Sequence, residues 1–91
     1  MSVMVQFIVE NVPDVDHFIA VSKKWEPTME ADGARNQMVA VDENNPSTVS
    51  LLSEWDSHDV MHESSEKNGD AFNAELGFGE LNWITHIWQT K

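Results

Sequence analysis

The sequence predicts an α+β domain with the element order β-α-β-β-α-β. Three observations carry this reading. Apolar, β-branched runs stand at both ends of the chain, at Val3–Glu10 and at residues 81–89. A second pair of such runs, residues 35–42 and 48–55, flanks the strongest turn cluster in the chain. Two stretches with apolar residues at helical spacing lie between these strands. Ninety-one residues suffice for one core, so residues 1–91 are read as one domain.

The first run is apolar from Val3 to Val9 except at Gln6, as a strand covered on both faces requires. Pro13 suits the first turn of a helix, and Asp14 and Asp16 complement the positive end of its dipole. Val15, Phe18, Ile19, Ser22, Trp25 and Met29 recur on one stripe of that helix. Pro27 removes a backbone donor inside it, which predicts a kink or break around Trp25–Glu26. Gly33 stands where a helix favours a glycine terminator. Residues 43–47, Glu-Asn-Asn-Pro-Ser, then turn the chain between the second and third strands. Asp56 or Ser57 caps the second helix, whose stripe (Val60, Met61, Ser64 or Ser65, Phe72, Leu76) is interrupted at Asn68-Gly69-Asp70. Two helical pieces, 57–67 and 70–76, are the expectation. Gly77-Phe78-Gly79 ends the second piece, and the fourth strand follows.

This order is that of the ferredoxin-like split βαβ: four antiparallel strands with both helices on one face. The other face needs a cover of its own. In the fourth strand Leu81, Trp83 and Ile87 point one way, and Ile84 and Trp88 the other, so neither side suits water. A second copy of the sheet is the natural cover, and the sequence therefore predicts a homodimer. Four Trp and four Phe in so short a chain add to the need for burial.

Composition removes several function classes. Five Lys plus Arg against sixteen Asp plus Glu give a formal charge of −11, which disfavours nucleic acid, anionic lipid and polyanionic ligands. The absence of Cys excludes disulfides, thiol nucleophiles and Cys-ligated metals. The longest apolar stretch, Phe7-Ile8-Val9, cannot span a bilayer, so no membrane partner is expected. No basic segment precedes an apolar run near Met1, so no secretory signal is read and a cytoplasmic location is expected. No phosphate-binding glycine loop, nucleophile elbow or zinc-protease motif occurs.

The stretch from Asn45-Pro46 through Val49 to Glu54-Trp55-Asp56 resembles the hairpin and strand of the dimeric α/β-barrel superfamily, which includes the antibiotic-biosynthesis-monooxygenase-like proteins. Val12-Pro13-Asp14 and Gly33 are similar to the same pattern. The resemblance implies a homodimer whose two sheets close one barrel with the helices outside. It also implies a substrate cleft between helix and sheet, lined by Trp and Asn; Asn11, Trp25 and Trp83 match by position. The haem-degrading members use an axial His late in the second helix, where this chain has Asn68 and Asn73 and no His, so no cofactor is expected.

Four histidines are the candidate acid–base groups. His58 and His62 share a helix face, but no third ligand follows at fixed spacing, so solvated histidines are the plainer reading and no metal is assigned. His17 falls at the edge of the first helix stripe. His86 alternates with Ile84 and Trp88 on an apolar strand, either as a core or interface residue or as a general base. A cleft is expected where the helices are interrupted, near Trp25, His62 and His86, with His62 and His86 as its catalytic groups. Three readings remain at this point: a cofactor-independent monooxygenase-like enzyme acting on an aromatic or apolar small molecule, a non-catalytic dimeric ligand-binding or accessory protein, and a barrel without a pocket. An apolar space of about 300 Å³ or more with one or two inward polar groups would favour the first two.

Overall fold

The computed structural model describes residues 1–91. Six elements follow in the expected order: β1 (Val3–Glu10), α1 (Val15–Asp32), β2 (Arg35–Val41), β3 (Val49–Trp55), α2 (His58–Leu76) and β4 (Asn82–Gln89). All strand pairs are antiparallel, and the sheet order is β2-β3-β1-β4. This is the ferredoxin-like arrangement. No helix is long and apolar enough to cross a membrane.

The register decides which residues meet the helices. Val9 lies opposite Val49 and Trp83, and Val5 opposite Ile87. Val5 and Val9 are fully buried, so this parity faces α1 and α2. The core there falls into two clusters. One gathers Val9, Phe18, Val21, Val49 and Leu76; the other gathers Val5, Ala34, Trp55 and Met61. The opposite parity pairs Met4 with Trp88, Gln6 with His86 and Ile8 with Ile84, and no helix covers it. Trp88 is 57% exposed and Met38 60% exposed.

Helix boundaries follow their caps. Asp14 is the N-cap of α1, its side chain accepting from the His17 N–H at 3.1 Å, so Pro13 precedes the helix rather than opening it. Ser57 caps α2 by accepting from the Val60 N–H. Gly33 ends α1 at φ 120°, a backbone conformation that a residue with a Cβ adopts only under strain.

Neither helix breaks where an interruption was expected. α1 runs unbroken through Pro27, and α2 runs unbroken through Asn68-Gly69-Asp70. Pro27 is exposed, so its ring meets solvent and only one helical hydrogen bond is forfeited. The turn around it is held from outside, since Gln37 Nε2 of β2 donates to the Glu26 carbonyl at 2.8 Å. In α2, Asn68 is buried and its amide donates to the Asp32 carboxylate at 2.9 Å and to Ser64 Oγ at 3.3 Å. Those bonds oppose the weak helix propensity of the Asn-Gly pair, which amounts to about 1 kcal/mol for a glycine.

The Glu54-Trp55-Asp56 segment acts structurally. Glu54 accepts from Ser2 Oγ at 2.5 Å and from Asn36 Nδ2 at 2.8 Å, and Asp56 accepts from Arg35 at 2.7 Å. Ser2 first, then Asn36, hold the Glu54 carboxyl below the usual carboxylate range. Three strand ends are thereby tied together. Asn36 sits at φ 52° beside the irregularity in β2 that makes this reach.

Asp32 is the counterpart between the helices. Its carboxylate accepts from Lys67 Nζ (2.7 Å), Ser64 Oγ (2.9 Å) and Asn68 Nδ2 (2.9 Å), all on α2. Lys67 first, then Ser64, lower its pKa. A carboxyl lowered in the fold stabilises it above the unfolded-state value, about 3.9, and that contribution disappears as pH falls through the folded value. Asp32→Ala should therefore cost about 2 kcal/mol at pH 7, the range for hydrogen bonds to a charged group. Urea unfolding of both proteins should show the difference narrowing below about pH 4, whereas an equal difference at pH 7 and pH 3 would reject the assignment.

Candidate functional site

Between the helices and the sheet lies a partly enclosed cavity of about 220 Å³. On α1 the stripe Phe18, Ser22, Trp25, Met29 faces inward at spacings of four, three and four, and the last three line the cavity. On α2 the residues Met61, Ser65, Gly69 and Phe72 do the same. Phe7, Leu51 and Trp83 form the sheet floor. The cavity draws on residues packed against both core clusters, so it occupies the seam between them.

Aromatic rings build much of the wall. Trp83 is the hub, with ring centroids 5.9 Å from Phe7, 6.0 Å from Phe18 and 6.3 Å from Phe72. Trp25 packs edge-on to Phe72 at 6.1 Å. Such pairs add about 0.5–1.5 kcal/mol each beyond burial, which makes the wall rigid.

The polar groups of the wall are few. Trp55 Nε1 donates to Ser53 Oγ at 2.8 Å, which satisfies that indole. Ser22 Oγ and Trp25 Nε1 are buried without a hydrogen-bond partner. Trp25 nonetheless helps Lys24, the main cause, to hold the Glu75 carboxyl below the usual range. Ser22 interacts with no group of this kind. Glu26 is the one ionisable side chain of the lining.

Of the residues expected at a cleft, the structure brings Trp25 and Trp83 together at this cavity and leaves the others outside it. His62 lies on the exposed side of α2, 3.1 Å from Glu66, with its ring 6.3 Å from that of His58. No cluster of three metal-ligating side chains forms. His86 projects from the uncovered sheet face, exposed and stacked on Trp88 at 5.9 Å. Its alternation with Ile84 and Trp88 was the correct parity, but that parity faces away from the helices. Asn11 is exposed at φ 56° in the connection before α1. His17 Nε2 donates to the Glu75 carbonyl, 3.2 Å away, closing the end of α2.

The cavity arises differently from the expectation as well. Unbroken helices leave it because small residues, Ser22 and Gly69, stand on their facing sides. The signal for Ser22 was present in the sequence as the one polar member of an apolar stripe.

No protein-family model and no curated protein sequence matches the chain. Solved structures do. A candidate antibiotic biosynthesis monooxygenase from Bordetella bronchiseptica superposes with a TM-score of 0.81 at 18% identity, covering 99% of this chain and 97% of that one. A mutant form of SnoaB, a cofactor-independent oxygenase from Streptomyces nogalater, gives 0.80 at 10% identity, covering 99% and 93%. A conserved protein from Methanosarcina mazei gives 0.79 at 18% identity, covering 100% and 94%. The chain has the monooxygenase-like fold. Identities this low establish the fold alone, and a function has to be argued from the site.

Gly69 offers a direct check on the space described here. A Cβ built at this helix-interior glycine meets nothing within 4 Å. Gly69→Ala should raise stability by about 1 kcal/mol, the propensity difference alone, measured by urea unfolding. A loss of stability would mean that the seam between the helices is closed.

Proposed function

We propose that the protein binds an apolar aromatic molecule of one or two rings in the cavity between its helices and sheet, and oxygenates it without a cofactor. The aromatic, nearly uncharged lining carries the binding half of this reading. A cavity of about 150 Å³ accommodates benzene, so about 220 Å³ suits a ligand somewhat larger. It falls short of the space of about 300 Å³ expected of a ligand site from the sequence, so a drug-sized or polycyclic ligand does not fit and the reading is confined to a smaller one. The oxygenation half is supported by likeness of fold to SnoaB. Such a reaction asks the substrate itself to supply the electrons. An activated CH2 group loses a proton, its carbanion adds O2, and the peroxide collapses to a carbonyl and water. The protein then contributes a dry space and a polar contact.

A second reading, binding without catalysis, is favoured by one observation. No histidine lines the cavity, and Glu26 is its sole ionisable side chain. The same titration separates the two. Aromatic probes of one and two rings should quench tryptophan fluorescence, with Trp25→Phe weakening the response and His86→Ala leaving it unchanged. Oxygen uptake on adding a probe with an activated CH2 supports the enzyme; quenching without uptake supports the binder. If no probe quenches, both readings fall.

The uncovered sheet face supports a homodimer. Met4 and Trp88 form one apolar pair on that face and Ile8 and Ile84 another, with the Gln6–His86 pair between them, and exposed apolar area of this kind marks an interface. Light scattering at micromolar concentration should give twice the chain mass. Trp88→Asp should halve it or unfold the protein, because a carboxylate would be stranded in a dry layer. A wild-type monomer at that concentration contradicts the assembly.

A further inference from the structure

We propose that Ser22 is the polar anchor of the cavity, and that the ligand is a neutral aromatic molecule bearing one hydroxyl or carbonyl group. This rests on the reading that the cavity holds an aromatic ligand. Four observations lead to it. Ser22 is 7% exposed, and its Oγ has no hydrogen-bond partner. Helical serines commonly bond back to the preceding turn, and this one does not. It stands on the inward stripe of α1 between Phe18 and Trp25, at the wall of the cavity. A buried hydroxyl left without a partner is destabilising, so its retention among aromatic rings fits a partner that arrives with the ligand.

The other polar groups of the wall are less available. Ser53 already accepts from Trp55, and Gln37 donates to the Glu26 carbonyl. Ser65 donates to Met61 Sδ, Asn73 is exposed, and Trp25 Nε1, though also unpartnered, is a donor only. Ser22 alone combines burial, a free donor and free lone pairs. Charge selects further. The lining holds no cation, and its one ionisable side chain is the carboxylic residue Glu26. A ligand carboxylate would enter an apolar space unpaired, on a chain of net charge −11.

The test compares naphthalene, 1-naphthol and 1-naphthoate by tryptophan quenching on the wild-type protein, Ser22→Ala and Ser22→Thr. Ala removes an unpaired hydroxyl and is the better helix former, so Ser22→Ala should unfold at the same or higher urea concentration. The affinity ratio of naphthol to naphthalene should fall about five-fold in Ser22→Ala, the value of one hydrogen bond, with naphthalene affinity kept. Ser22→Thr, which retains the hydroxyl, should restore the ratio. Naphthoate should bind at least about ten-fold more weakly than naphthol to the wild-type protein. A ratio unchanged by Ser22→Ala overturns the anchor while leaving the cavity reading intact. Failure of naphthalene and naphthol alike to bind the wild-type protein removes the cavity reading, and the anchor with it.

Discussion

The structure depends on how its two helices are tied to one another. They run antiparallel over the sheet and are fastened by polar contacts at both ends. At one end Asp32 of α1 accepts from Ser64, Lys67 and Asn68 of α2. At the other, Lys24 pairs with Glu75 at 2.9 Å, and His17 meets the Glu75 carbonyl. Beside these fastenings the inward residues are uneven in size, with small Ser22 and Gly69 next to large Trp25, Met29 and Phe72. Ser22 and Gly69 cannot fill the gap that the ties and the sheet define, and the aromatic residues beside them form its walls. An apolar stripe on each helix alone would favour closer approach. Polar ties, with small residues set among large aromatic ones, give two helices that are held together and still leave space.

The same ties explain which parts of the fold were legible in the sequence. Strand alternation is a local property, and the register of β1 against β4 followed the parity read from Trp83, Ile84, Ile87 and Trp88. Element order and most boundaries were likewise written in turns and caps. The helix interruptions were misread because Pro27 and Asn68-Gly69 are unfavourable only locally. What overrides them, Gln37 reaching Glu26 and Asp32 reaching Asn68, joins residues 11 and 36 positions apart. Hydrogen bonds of that span leave no periodic trace.

The site was legible in half. Large aromatic residues on inward stripes had to meet somewhere, and Trp25 and Trp83 do meet at the cavity. His86 falls outside the cavity because alternation tells which residues share a face but not which face the helices cover. His86 shares its parity with Gln6, and Val5 and Val9 occupy the buried one. Only the register of β4 against β1 connects the two. Ser22 was visible but counted with its apolar neighbours. A hydroxyl within an aromatic stripe is informative once the structure shows that nothing in the chain satisfies it.

Solved structures at 10–18% identity superpose at TM-scores of 0.79–0.81, so few sequence constraints are needed to keep this backbone. The open space is a different matter. At about 24 cal/mol per Å³, leaving about 220 Å³ unfilled forgoes at most about 5 kcal/mol. The figure is an upper bound because the cavity is partly open to water. Domains of this size have a total stability of only about 5–15 kcal/mol. A larger residue at position 22 or 69 would recover part of that loss without altering any strand, cap or helix tie. Both positions instead hold residues that keep the space, and one of them carries a buried, unsatisfied hydroxyl beside it. Two separate departures from the most stable packing converge on one volume, which is the pattern expected of a site and not of a core.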